Sequence, residues 1–152
     1  MSDEEVELRK EVWGYLKDGA LIFLATTEGD QPRVRPMRLA RVGDRLFVTS
    51  RSFKSKVEHI RKNPKVEFCL MVPDIGRNNI RVECLSEIIE DKEVRAMVYN
   101  YYGERLKRWY KSPEDPIMAL IEFIPTRFEY LKPPPVINAV IIKDTQPPSP
   151  SG

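Results

Sequence analysis

A single histidine stands among 152 residues, so the sequence offers no histidine-based metal cluster and little room for a Ser-His-Asp triad. That residue, His59, lies mid-helix in "VEHIRKN" among charged neighbours and reads as solvated. The Gly-x-Gly-x-x-Gly and Gly-x-x-x-x-Gly-Lys-Ser/Thr loops are missing, and with them the common dinucleotide and nucleoside-triphosphate sites. No run reaches the roughly 18 apolar residues of a membrane span. The opening "MSDEEVELRK" is acidic where a secretory leader would be basic and then apolar. These absences lead us to expect a cytoplasmic protein with no membrane segment. The two cysteines, Cys69 and Cys84, lack Cys-x-x-Cys spacing and sit in strand-like runs. They read as buried thiols rather than metal ligands. Carboxylate pairs at catalytic spacing do not stand out either, and "EEVE" is most simply a helix first turn favoured by the dipole.

Hydrophobic residues make up 41% of the chain and charged residues 32%, a globular rather than a disordered balance. A chain of this length forms one ordinary domain, able to bury about 68–70% of its unfolded surface. The net charge is only +2, but the cations are unevenly placed. Arg33, Arg35, Arg38 and Arg41 form one group; Arg51, Lys54, Lys56, Arg61, Lys62 and Lys65 form another. Near-balanced charge and aromatics that do not interleave with the basic strand argue against nucleic acid as a partner.

The pattern predicts an amphipathic helix over 3–18, with Ser2 and Glu5 spaced as a capping box and Gly19 at its exit. Residues 20–50 read as a three-stranded meander: "ALIFLATT", then "QPRVRPMRLARV", then "RLFVTS". Pro32 and Pro36 cannot donate to a ladder, so the middle strand must be an edge or be interrupted. A short helix follows at about 53–62, stopped by Pro64. Two strands, "KVEFCLMVP" and "NIRVECLSEIIE", flank a polar loop at 74–79. Asp91 caps a helix over "KEVRAMVYNYY" closed by Gly103. The strands "IMALIEFI" and "TRFEYLK" come last, before "PPP", "VINAVIIK" and a low-complexity end. The sum is mainly β with α additions, about six strands in a closed antiparallel barrel. The apolar "VINAVIIK", behind stiff prolines, reads as a segment that docks on a second copy, with a last strand in its own barrel as the alternative.

One stretch carries chemistry. "TSRSFKSKV" leaves a strand and enters a helix with Thr49, Ser50, Ser55, Lys54 and Lys56 close together. A helix N-terminus offers unpaired N–H groups and a partial positive charge, so hydroxyls and lysines there make a receptor for a phosphate dianion. The alternative is that Ser52 or Ser55 merely caps the helix and the lysines are solvated.

The series "LATTEGDQPRVRPMRLARVGDRLFVTSRSFKSKVEHIRKNPKVEF" resembles the N-terminal half of the pyridoxamine 5′-phosphate oxidase-like family, the FMN-binding split barrels. The resemblance rests on the order of Ala-Thr, a Gly turn, Pro-x-x-Arg-Pro-Met, a hairpin, Thr-Ser, a basic loop with Lys-Val, and Asn-Pro. It implies a six-stranded antiparallel split barrel over residues 1–132, a Pro-rich extension over 133–152, and a homodimer with FMN at the interface. It implies that Arg35, Pro36 and Met37 face the flavin and its ribityl chain and that Thr49 and Ser50 bond flavin or ribityl oxygens. Ser55 and Lys56 would hold the phosphate, helped by Lys54. Trp109 and Tyr110 would cover the ring from the partner subunit, or else serve as core or surface anchors. No histidine follows His59, so the oxidases' C-terminal Arg-x-His element is missing. This argues against pyridoxamine 5′-phosphate oxidation and against haem degradation. The expected function is therefore an FMN-dependent oxidoreductase with an unassigned small-molecule substrate or electron donor. Deazaflavin in place of FMN, or a non-catalytic flavin carrier, is the alternative.

Overall fold

The computed structural model describes residues 2–72 and 78–149. Helix α1 (Asp3–Tyr15) starts where Ser2 Oγ accepts from the Glu5 amide at 3.2 Å and buries Leu8, Val12 and Trp13. It ends three residues earlier than its pattern predicts, because Leu16 turns its amide back to Val12 and Trp13. Gly19, expected at the helix exit, instead adopts φ +85° and donates to the Leu39 carbonyl at 2.7 Å. A side-chain-bearing residue would be strained at that φ.

Strands β1 (Leu21–Glu28) and β2 (Gln31–Arg38) form a hairpin in which Leu21 faces Arg38 and Glu28 faces Gln31. Both prolines lie on β2, which pairs with β1 alone among the described strands, so it is an edge. The chain then breaks at Leu39 and resumes as β3 (Ala40–Val42), which pairs with β4 (Arg45–Arg51). The expected meander is therefore two hairpins. The run 31–42 cannot pair with both neighbours at once, because its halves belong to opposite ends of the sheet.

After α2 (Ser55–Lys62) come β5 (Lys65–Met71) and β6 (Asn79–Ile88), whose predicted connecting loop lies, up to residue 77, outside the described residues. Helix α3 (Lys92–Tyr102) begins as the sequence predicts, with Asp91 Oδ1 accepting from the amides of Glu93 and Val94. Gly103 ends it at φ +53°, and a single turn, α4 (Glu104–Lys107), follows. Strand β7 (Met118–Leu131) runs through Pro125, with an irregularity opposite Glu83 and Cys84. The last strand, β8 (Val140–Ile142), pairs with β7.

The sheet order is β2-β1-β5-β6-β7-β4-β3, with β8 on β7. Its two end strands are consecutive pieces of chain joined through Leu39, so the antiparallel sheet is curled. Among the described residues there are eight strands rather than six: the break at Leu39 adds one, and the tail adds another. Residues 140–142 thus join the protein's own sheet instead of projecting onto a second copy. An Arg9–Asp144 ion pair at 2.6 Å and a Trp13 indole bond to the Thr145 carbonyl strap the tail over α1.

One core cluster fills the curl, including Leu24, Leu39, Val48, Phe68 and Phe123. A second, with Phe47, Val98, Tyr99 and Leu106, packs α3 and α4 on the outer side of β4. Arg95 is buried there but fully used, donating to the carbonyls of Pro113, Ile89 and Asp115. No helix among the described residues is long and apolar enough to cross a membrane.

Leu39 is 1% exposed at the corner where the sheet ends meet. Replacing it with Ala should cost about 2–5 kcal/mol by leaving a cavity. The exposed Lys107→Ala should change stability by about 0.5 kcal/mol or less. Urea unfolding of the two variants checks the contrast.

Candidate functional site

Residues opposite one another in an antiparallel pair share a face of the sheet. Arg35 lies opposite Leu24 and Met37 opposite Ile22, both core residues, so Arg35 and Met37 face the inside of the curl. Pro36 lies opposite Phe23 on the outer face and is exposed. The Arg35 guanidinium donates to the Leu24 carbonyl at 3.1 Å, and burial holds its pKa below the ordinary arginine value.

The same alternation divides Thr49 from Ser50. Ser50 shares the inner face with Leu46 and Val48 and is 7% exposed. Thr49 lies opposite Leu120 of the second cluster and faces α3 and α4. From the first turn of α2 the Lys56 ammonium donates to the Ser50 hydroxyl at 3.1 Å. Burial holds its pKa below the usual lysine value, and repulsion from Arg35 and then from Lys54 adds to this. Among the described residues none of these three cations has a carboxylate within ion-pair distance.

Helix α2 begins at Lys54, whose backbone is extended, and no side chain caps it. Neither Ser52 nor Ser55 therefore serves as the cap that a purely structural reading of this stretch requires. Arg35, Lys54 and Ser50 lie around the Lys56 ammonium beside the uncapped start of α2, an arrangement that suits an anion. Arg35, Ser50, Lys54 and Lys56 are grouped there, with Ser55 at the helix start. Pro36 and Thr49 belong to other faces of their strands.

His59 corrects the sequence reading. It is 6% exposed rather than solvated, and its Nδ1 lies 2.9 Å from the Thr26 hydroxyl on β1. Its Nε2 has no hydrogen-bond partner and lies 3.5 Å from the Glu28 carboxylate, whose other oxygen is held by Arg33. The Arg33 hydrogen bond and charge keep that carboxyl below its usual value. A cavity of about 590 Å³ reaches His59 and Glu28, while Thr26, 2% exposed, closes this Thr-His-Glu array on its inner side. The array ties α2, and with it the cationic loop, to β1. No local signal marks His59 as buried, because its partner is 33 residues away.

A separate cavity opens between the Arg38–Ala40 corner, β4 and the α3–α4 turn, lined by Thr49, Tyr102 and Trp109 among others. The Tyr102 hydroxyl donates to Asp18, and burial followed by that hydrogen bond raises its pKa. Trp109 is 59% exposed, with the Arg51 guanidinium over its ring at 5.2 Å. Tyr110 is buried in the second core cluster, so of the two expected ring-covering residues it is core. Cys84 is buried and Cys69 half-buried, both as free thiols. Among the described residues no three His, Cys, Asp or Glu side chains converge as metal ligands.

The family model described as pyridoxamine 5′-phosphate oxidase matches residues 8–132. Among solved structures, the chain is similar to a NimC/NimA family protein from Clostridium acetobutylicum, at 25% identity and a TM-score of 0.71, over 93% of this chain and 99% of that one. It is similar to General Stress Protein 26 from Bacillus anthracis str. Sterne, at 27% identity and a TM-score of 0.66, over 84% and 95%. An F420 reductase is 26% identical with a TM-score of 0.58, over 76% and 93%. No curated protein matches the chain.

The Thr26–His59 pair makes its own prediction. Thr26→Val leaves a buried imidazole nitrogen unpaired and should cost about 1–3 kcal/mol. Glu28→Gln, on the exposed side of the same imidazole, should cost far less. Chemical unfolding of both variants checks the order.

Proposed function

Because the chain belongs to the pyridoxamine 5′-phosphate oxidase family, we propose that it binds FMN and acts as an FMN-dependent oxidoreductase on a small molecule. The observation that carries this reading is the trio Arg35, Lys54 and Lys56, crowded without an acid at the uncapped start of α2. Lys56 and Lys54, the Ser55 hydroxyl and the first amides of α2 hold the phosphate. Arg35 and Ser50 serve the adjoining ribityl chain. Met37 shares the inner face with Arg35 and borders the ring, whereas Pro36 and Thr49 face away from it. The flavin supplies the redox chemistry when bound, and the protein supplies its orientation and the exclusion of water. Residues 1–132 form the flavin-binding unit of a cytoplasmic protein, and 133–152 an extension. A second reading, deazaflavin in place of FMN, is favoured by the similarity to an F420 reductase. Heat release of the bound chromophore and its identification decide between the two.

We further propose a homodimer with the flavin at its interface. Leu21, Phe23, Val34 and Met71 are exposed on the outer face of β2, β1 and β5. An apolar patch of this kind marks an interface, and this one lies on the reverse side of the strand that carries Arg35. Phe23→Glu should give a monomer by light scattering and weaken FMN binding. A dimer that survives the change would rule this face out.

Lys56→Met keeps the stem and removes the charge. The loss of a charge-assisted hydrogen bond, about 1.5–3 kcal/mol, should lower FMN affinity by one to two powers of ten. Riboflavin, which lacks the phosphate, should bind weakly and be indifferent to the change. Arg61→Met, further along the helix, should do much less. Equal losses for both ligands would mean that Lys56 supports the fold instead. Bleaching of the bound flavin by NADH or NADPH, against dithionite as control, separates the enzyme from a carrier.

A further inference from the structure

The cavity between the end of β1 and α2 shares only Ser55 with the proposed phosphate site, and a buried group without a partner faces it. Glu28, Glu58, His59 and Lys62 are among the residues that line its 590 Å³. His59 is 6% exposed, yet its Nε2 has no hydrogen-bond partner. Its Nδ1 is turned to the buried Thr26, so the ring meets the cavity by its Nε2 edge, 3.5 Å from Glu28 Oε2. Both facing atoms are oriented from behind. The Thr26 hydroxyl, 2.9 Å from Nδ1, can take that nitrogen's hydrogen and leave the Nε2 lone pair toward Glu28. The Arg33 guanidinium donates twice to Glu28 Oε1, at 2.9 and 3.3 Å, which turns Oε2 to His59.

Two acceptors that face each other at this distance repel unless a positive charge comes between them. A proton is one such charge, but a charge-assisted N–H···O bond closes to about 2.7–2.9 Å. A metal ion is the other. A nitrogen and an oxygen held tetrahedrally at about 2.0–2.2 Å from zinc lie about 3.3–3.5 Å apart, and the observed 3.5 Å fits that span. A hydrogen-bonded second ring nitrogen and a carboxylate anchored through its other oxygen are the outer contacts that fix metal-binding side chains. The cavity lining also carries two carboxylates against one ammonium, which favours a cation. We propose that His59 Nε2 and Glu28 Oε2 anchor a divalent transition-metal ion that takes nitrogen and oxygen ligands, with zinc as the type. Among the described residues no third His, Cys, Asp or Glu joins them, so the remaining positions face the cavity and belong to water or a small ligand. The site is independent of the flavin reading.

The chain has one histidine, so the imidazole signals in an NMR spectrum of the untagged protein belong to His59 alone. Zinc added at neutral pH should shift or broaden them and saturate at one ion per chain, with the ring hydrogen on Nδ1. Magnesium, which prefers an octahedron of oxygens, should leave them in place. Glu28→Gln should weaken zinc binding at least about tenfold, and Glu58→Gln, on the same cavity, less than about threefold. An imidazole signal that zinc does not move, an equal response to magnesium, or equal losses in the two carboxylate variants would overturn the proposal. A signal that titrates with pH and ignores zinc would assign the gap to a proton instead.

Discussion

The bond pair at Leu39, from its own amide to the Ala20 carbonyl at 2.8 Å and from the Gly19 amide to its carbonyl at 2.7 Å, holds the corner on which the fold turns. On one side of it β2 completes a hairpin with β1; on the other, β3 completes a hairpin with β4. A sheet whose first and last strands are joined by one residue has to curl. The curl encloses the main core and brings the inner faces of β2 and β4 toward each other. Arg35 and Ser50 lie on those faces, and the Lys56 ammonium reaches Ser50 from the helix that follows β4.

Electrostatics explains why this place looks unfinished without a ligand. Lys56 is half-buried and repelled by Arg35 and Lys54, and its bond to the Ser50 hydroxyl adds no opposing charge. Several charges elsewhere are paired: Arg9 with Asp144, Arg45 with Glu122, and Arg33 with Glu28. Desolvating a cation without a partner is expensive, so the half-buried Arg35 and Lys56, with the exposed Lys54 beside them, are informative where exposed pairs are not. The buried Thr26–His59 contact supports it by fixing α2 against β1. On the proposed reading, the helix N-terminus meets the phosphate with little reorganisation.

The cavity at the α3–α4 turn holds its cations with different materials. Asp18 Oδ1 accepts from a phenol and a backbone amide, Arg105 lies 3.9 Å from Oδ2, and Arg38 donates to a carbonyl. Aromatic stacking substitutes for ion pairs in holding the guanidiniums. Arg95, a few residues away in sequence, shows the contrast: buried, with its donors committed to three carbonyls, it fastens α3 to the 113–115 segment and has little left for a ligand.

The sequence by itself determined the elements whose signals are local. Asp91 and Gly103 bound α3 because a cap and a positive-φ exit act within one helical turn. Pro32 and Pro36 made β2 an edge because each lacks a donor. The hydroxyls and lysines before α2 were legible as one cluster at a helix start because the first turn of a helix is short. The ordered series of turns and motifs was enough to suggest the family. Tertiary structure alone decided the break at Leu39, since 31–42 reads as one strand until its halves meet partners at opposite ends of a sheet. It decided that "VINAVIIK" would contribute β8 to the protein's own sheet, because whether Phe128–Tyr130 of β7 has an open side to pair with depends on where the other strands of the curled sheet lie. It also decided the burial of His59 against Thr26 and the meeting of Asp18 with Tyr102, 33 and 84 residues apart. Contacts at such separations leave no mark on hydrophobic periodicity, because they depend on which faces the closed sheet brings together and not on the residues beside them.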